Sequence, residues 1–133
     1  MSQNNGMQKL KMAIVFSIIV NGCYGLAFFF IPQLMSLTAG GVPVENGWLR
    51  WAGGVLLGLA AGGIHAYRDP IKQKSMITTL IFAPLFSGFA FAYTLLFESY
   101  TIQTWFILVP CLVVFAMFAV TFWAWSDAKE LLR

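Results

Sequence analysis

Few side chains in this 133-residue sequence have the chemistry of a catalytic or metal-binding group. His65 is the only histidine, and the two cysteines, Cys23 and Cys111, lie inside apolar runs and have no Cys-x-x-Cys partner. No spacing in the sequence joins a nucleophile to a histidine, or pairs two carboxylates, at one site. The sequence therefore predicts a protein that is not an enzyme, with no catalytic residues, no cofactor and no metal site.

His65 has two interpretations. A single imidazole can serve as one axial haem ligand, as one ligand of a metal that other groups help to bind, or as a step in a proton relay. It can also cap a helix or lie at a membrane interface. We favour the second interpretation, because one histidine cannot ligate a haem from both sides.

Arg50 and Glu98 are a second pair of candidates. Each lies at the same predicted boundary of the membrane and on the polar stripe of its own helix, so the two side chains can meet. A structural ion pair, or an arginine that reaches the lipid headgroups, is the simpler interpretation. The functional alternative is an entrance at which Arg50 holds an anionic group and Glu98 or Glu45 adjusts the charge beside it.

Small and polar residues recur at helical spacing in three of the apolar runs of the chain. We expect these stripes to point at one another inside a helix bundle. There they either pack closely or line a narrow polar pocket, since polar side chains buried in lipid need partners. The side chains expected to line such a pocket are Asn21, Tyr24, Ser87 and Thr94.

Gly54, Gly58 and Gly62 recur at four-residue spacing between Arg50 and His65. In water such a helix would be poor, since each interior glycine costs about 0.5–1 kcal/mol relative to alanine. In a bilayer the same spacing lets two helix backbones approach closely. We expect these glycines to pack inward against the other polar stripes, although the spacing alone does not distinguish packing within one copy from packing between copies.

Four apolar runs must position these residues. Apolar residues make up 59% of the chain and charged residues 10%, against about 45–50% and about 25% in soluble domains. The runs cover approximately residues 12–31, 48–67, 76–97 and 104–125, each close to the ~20 residues that cross a bilayer. The sequence predicts a single membrane domain, an all-α bundle of four transmembrane helices, in which the fourth run is the most lipid-exposed or meets a partner.

The connection over residues 32–47 is the longest between two runs. It is too short for a domain and long enough for a lid or a short interfacial helix.

Lysine and arginine are divided unevenly between the two ends of the runs. Seven lie on one side and only Arg50 on the other, and the positive-inside rule places the basic side, with both termini, in the cytoplasm. The net charge of +3 then reflects membrane topology, and no nucleic-acid partner is expected. The seven basic residues are Lys9, Lys11, Arg68, Lys72, Lys74, Lys129 and Arg133.

One part of the chain, within residues 20–75, carries a recognisable combination of features. A run ending in Phe28-Phe-Phe-Ile-Pro32 is followed by a glycine-bearing connection, by Arg50-Trp-Ala-Gly-Gly-x-x-x-Gly58 and by a basic turn. In these features the chain resembles small four-helix bacterial membrane proteins of the DoxX-like type. The resemblance implies a four-helix fold in a bacterial plasma membrane and implies no mechanism.

These observations favour a small, non-catalytic protein of the inner plasma membrane that associates with itself or with a larger membrane complex. Its expected partners are the lipid bilayer and further copies of the chain or other subunits. The alternative from a different class is an oligomeric conduit for a small solute or ion, lined by the polar stripes. A third is a quinone- or haem-associated redox subunit that uses His65 and the aromatic helix ends.

Overall fold

A computed structural model describes residues 2–40, 46–99 and 102–132 of the chain; Arg133, counted above with the basic side, and Glu45, considered above beside Arg50, lie outside them. The described residues form helices and no strand, which confirms the all-α fold class. The elements are α1 (Ser2–Phe30), α2 (Pro32–Thr38), α3 (Asn46–Arg68), α4 (Lys74–Phe97), α5 (Thr104–Ala128) and a 3-10 turn (Lys129–Leu132).

Within the described residues, three helices are long and apolar enough to cross a membrane, which indicates a membrane protein. They are α1 from Asn5 onward, α4, and α5 together with its 3-10 turn. The 23-residue α3 is long enough but is not among them. Its six glycines, with Arg50 and His65, leave it with less apolar surface than the other long helices.

The first helix is longer than predicted, and a short helix lies in the connection that follows it. α1 begins at Ser2 rather than near residue 12, and the side chains of its extra turns contact other helices. Lys9 Nζ lies 2.7 Å from Asp127 Oδ2, and Lys11 Nζ lies 5.4 Å from the centre of the Tyr67 ring. The 32–47 connection does contain a short helix, α2, with Pro32 in its first turn, where the missing N–H has no helical acceptor to lose.

α1 lies at the centre of the bundle, with α3 on one side and α5 on the other, and α4 packs against α5. The closest approach is between α1 and α3. A Cβ atom on Gly53 would lie 2.6 Å from the Phe29 nitrogen and 2.8 Å from the Gly25 oxygen. Glycine at these positions lets the two backbones touch.

The four long helices run antiparallel, so both ends of the chain lie at one end of the bundle. A Cβ atom on Gly6, early in α1, would lie 2.8 Å from the Asp127 carbonyl oxygen, late in α5. We call this the basic end. The main cluster of buried apolar side chains lies toward it and includes Leu10, Ile14, Ala66, Ile77, Leu80, Ile81, Ala128 and Leu132.

The expectation that the fourth run is the most lipid-exposed or meets a partner stays a prediction: 22% of the apolar window of α5 is buried, the same share as in α4 and less than the 28% of α1. α5 packs between α1 and α4 and buries Ile107, Cys111, Met117 and Thr121. Its composition is apolar all round, so periodicity could not show which side is covered. The helix with an uncovered small-residue face is α3.

Candidate functional site

α3 carries a continuous face that the other described residues leave uncovered. Its members recur every three or four residues and are all exposed. A Cβ atom added to Gly54 or Gly58 would meet no atom within 4 Å. We call this face the α3 stripe: Gly47, Arg50, Gly54, Gly58, Ala61, His65 and Arg68.

The prediction that the spaced glycines look inward is therefore wrong for Gly54 and Gly58. Gly62 differs, because a Cβ atom there would lie 2.6 Å from the Met76 side chain of α4. The glycines that contact α1 are the unpredicted neighbours, Gly53 and Gly63; a Cβ atom on Gly63 would lie 2.7 Å from Ile18 Cγ1. Regular spacing shows which glycines share a face of α3. It does not show which neighbouring helix that face contacts.

Arg50 and Glu98 do not meet within the chain. Both are exposed, and neither forms an ion pair with a described residue. Glu98 instead accepts a hydrogen bond from Thr94 Oγ1 at 2.9 Å, so Thr94 is occupied by this contact at the end of α4. Arg50 and Glu98 nevertheless share one end of the bundle, the end opposite to the termini.

His65 lies on the exposed α3 stripe near the basic end. Among the described residues, no group of three or more His, Cys, Asp and Glu side chains comes together that could hold a metal ion. The imidazole also forms no hydrogen bond or ion pair within that part of the chain.

The ion pairs of the described residues lie at the basic end. Besides Lys9–Asp127, Lys72 Nζ lies 3.3 Å from Asp69 Oδ2 in the connection between α3 and α4. The Lys72 backbone N–H also donates to Asp69 Oδ1 at 3.2 Å. This N–H, and then the lysine charge, hold the pKa of Asp69 below its usual range.

A cavity of about 270 Å³ lies among the four long helices. Asn21 and Tyr24 of α1 and Ser87 of α4 are on its wall, and Thr94 is not. The rest of the wall is apolar or aromatic and includes Trp51, Phe91 and residues of α5. Three of the four polar residues expected to share a pocket thus lie on one cavity. Periodicity did not indicate that apolar side chains make up most of its wall.

This lining favours binding over conduction. A path for water or ions needs polar groups along its length, whereas here three polar side chains stand in an otherwise apolar wall. Pro84 and Pro110, the prolines inside α4 and α5, also line the cavity. In the sequence, these two prolines were the residues that could have indicated the cavity.

No protein-family profile matches the chain, and neither the curated proteins nor the solved structures contain a match to it. The resemblance to DoxX-like proteins stays a prediction that no comparison bears on.

Proposed function

We propose that this protein is a small, non-catalytic component of the inner plasma membrane that assembles with further copies of itself through the α3 stripe. In this proposal all four long helices cross the bilayer and both termini are cytoplasmic.

The packing of α3 along α1 supports four crossings. Gly53 contacts α1 near Phe29, and Tyr67 contacts it near Lys11. α3 thus runs beside α1 for most of the length of a helix that is itself apolar enough to span. The lysines and arginines at the basic end then give the orientation by the positive-inside rule.

The open space beside Gly54 and Gly58 is the observation that carries the assembly proposal. All four long helices present large apolar side chains outward, such as Phe30 on α1, Trp51 on α3, Phe86 on α4 and Trp123 on α5. The α3 stripe has only small residues between its polar ends. Such a face offers lipid little apolar surface and lets a second helix approach closely, which is how membrane helices associate.

The charges indicate that the α3 stripe is covered by a second copy of the chain. The contact joins two different surfaces, the stripe of one copy and α4 of the next. Arg50 on the stripe has no carboxylate partner among the described residues, and the exposed Glu98 lies at the same end of the bundle. A contact of two identical stripes about a two-fold axis would bring Arg50 against Arg50. A contact of one copy's stripe with the next copy's α4 brings Arg50 toward Glu98, and contacts of this kind form a ring where the rotation from copy to copy closes.

The mass of the protein in lipid nanodiscs tests this proposal. Native mass spectrometry is expected to show an oligomer for the natural chain. Gly58→Leu is expected to raise the dissociation constant about tenfold or more, since a bulky side chain separates the backbones. Ala119→Leu, on an exposed part of α5, is the matched control and leaves the oligomer unchanged.

Two results would contradict the proposal. One is a natural chain that is monomeric at all lipid-to-protein ratios. The other is a Gly58→Leu oligomer as stable as the Ala119→Leu oligomer. Fixed co-purification of a different subunit, with loss of that subunit in Gly58→Leu, would replace self-assembly by the accessory-subunit alternative.

A further inference from the structure

The wall of the cavity includes an asparagine, Asn21, whose carboxamide oxygen accepts no hydrogen bond from a described residue. Asn21 is only 5% exposed. Its Nδ2 donates to the Ser17 carbonyl at 2.9 Å, whereas no described residue donates to its carboxamide oxygen. An asparagine in a membrane helix is costly unless its polar atoms find partners. Because Asn21 stands on the cavity wall, a donor inside the cavity would supply the missing partner.

A second acceptor stands near by. Proline has no N–H, so Pro84 leaves the Leu80 carbonyl without its helical donor. Both Leu80 and Pro84 line the cavity. A molecule in the cavity thus finds the Asn21 oxygen without a donor, within walls that otherwise suit apolar atoms.

The size of the cavity limits what fits. An engineered cavity of about 150 Å³ holds a benzene molecule, so 270 Å³ accommodates about ten non-hydrogen atoms, the size of a two-ring aromatic group. Two lining residues of α3 are exposed, Trp51 by 64% and Val55 by 47%. With the exposed Ser87 of α4, they put the opening between α3 and α4, on the side of the bundle and not at an end.

We propose that this cavity binds a small apolar ring molecule that carries a hydroxyl donor and enters sideways from the bilayer, with Asn21 accepting the hydrogen bond from that hydroxyl. The site is separate from the α3 stripe, so it does not depend on the proposed assembly.

Three matched probes test the proposal: 1-naphthol, which donates a hydrogen bond, 1-methoxynaphthalene, which only accepts one, and naphthalene. Binding is measured by saturation-transfer difference NMR to the full chain in nanodiscs of deuterated lipid, with empty nanodiscs as the blank. Saturable binding of 1-naphthol is expected to be roughly 3- to 10-fold tighter than that of the other two, the range for one net hydrogen bond.

Two variants locate the effect. Asn21→Leu is expected to abolish the preference for 1-naphthol while keeping the weaker binding of naphthalene. Ala52→Phe, which fills the cavity from α3, is expected to abolish binding of all three probes. Thr94→Val removes a polar group of α4 away from the cavity and serves as the control that binds like the natural chain.

The comparison of the three probes on the natural chain needs no substitution, so it decides the matter even where a variant fails to fold. Equal affinity for all three probes would show that Asn21 is satisfied otherwise, by a water molecule, and would overturn the proposal. Absence of saturable binding above empty nanodiscs would overturn it as well.

Discussion

At Gly53 the backbones of α1 and α3 are in contact, whereas the adjacent Gly54 faces open space. A methyl group at position 53 would overlap the Phe29 nitrogen and the Gly25 oxygen, which are backbone atoms and cannot move aside as a side chain can. A methyl group at position 54 would meet nothing. The same substitution at these two residues therefore tests which face of α3 is packed.

We predict that Gly53→Ala lowers the free energy of unfolding by about 1–3 kcal/mol, the usual cost of overpacking a tight contact. Gly54→Ala is expected to leave it unchanged or slightly raised, because alanine favours the helix. The measurement is denaturant unfolding in micelles under conditions where the chain is monomeric. Equal destabilisation by the two substitutions would mean that the packed face is assigned wrongly.

For single residues, the sequence predicted positions correctly where a residue type has one structural role. Asn21 and Ser87 were singled out as polar residues in apolar runs, and the structure brings both to one cavity. It failed for Gly54 and Gly58, since a regular spacing shows that two glycines share a face and says nothing about what lies opposite. The rotation of α3 about its own axis depends on the contact of Gly53 with α1. This contact involves both helices, so the spacing within α3 alone does not predict it.

Among the helices, α3 is the element on which the topology depends. Three helices are apolar enough to span, and α3 is more polar than they are. If α3 crosses, the termini lie on the same side of the membrane; if it does not, they lie on opposite sides. The contact of Lys9 with Asp127 at 2.7 Å holds the first and last long helices together at one end, as four crossings require.

Labelling of single cysteines tests this topology. In a background of Cys23→Ser and Cys111→Ser, we predict that Gln8→Cys and Lys129→Cys are protected from an impermeant maleimide in intact cells. Both should become labelled after lysis. Thr38→Cys, on α2, is expected to be labelled in intact cells and provides the control. Labelling of only one of the two terminal positions in intact cells would show that α3 does not cross.

Among the element boundaries, the start of α1 is the one that the sequence predicted least well. The end of α1 at Phe30 follows from Pro32 and was predicted closely. Its start at Ser2 was not, because polar residues such as Lys9 and Lys11 lie beyond the apolar run but remain helical through contacts with Asp127 and Tyr67. Hydropathy predicts the membrane-spanning part of a helix. It does not predict helical turns that continue beyond the apolar run.

In the molecule as a whole, the two proposed sites occupy different parts of the bundle. The closely packed apolar core lies toward the basic end, the cavity lies among the four helices farther along, and the α3 stripe runs down the outside. Only the stripe requires a second copy. The central claim is that Arg50 of one copy meets Glu98 of the next.

Mixing two charge-reversed chains in nanodiscs tests this claim most directly. Arg50→Glu alone places two acidic residues at each contact, and Glu98→Arg alone places two basic residues there, so each variant by itself is expected to dissociate. In an equal mixture every contact between unlike chains joins opposite charges. We predict recovery, seen by native mass spectrometry, of an oligomer with an even number of copies in which the two chains alternate. A mixture that stays as dissociated as each variant alone, or variants that assemble like the natural chain, would contradict the account.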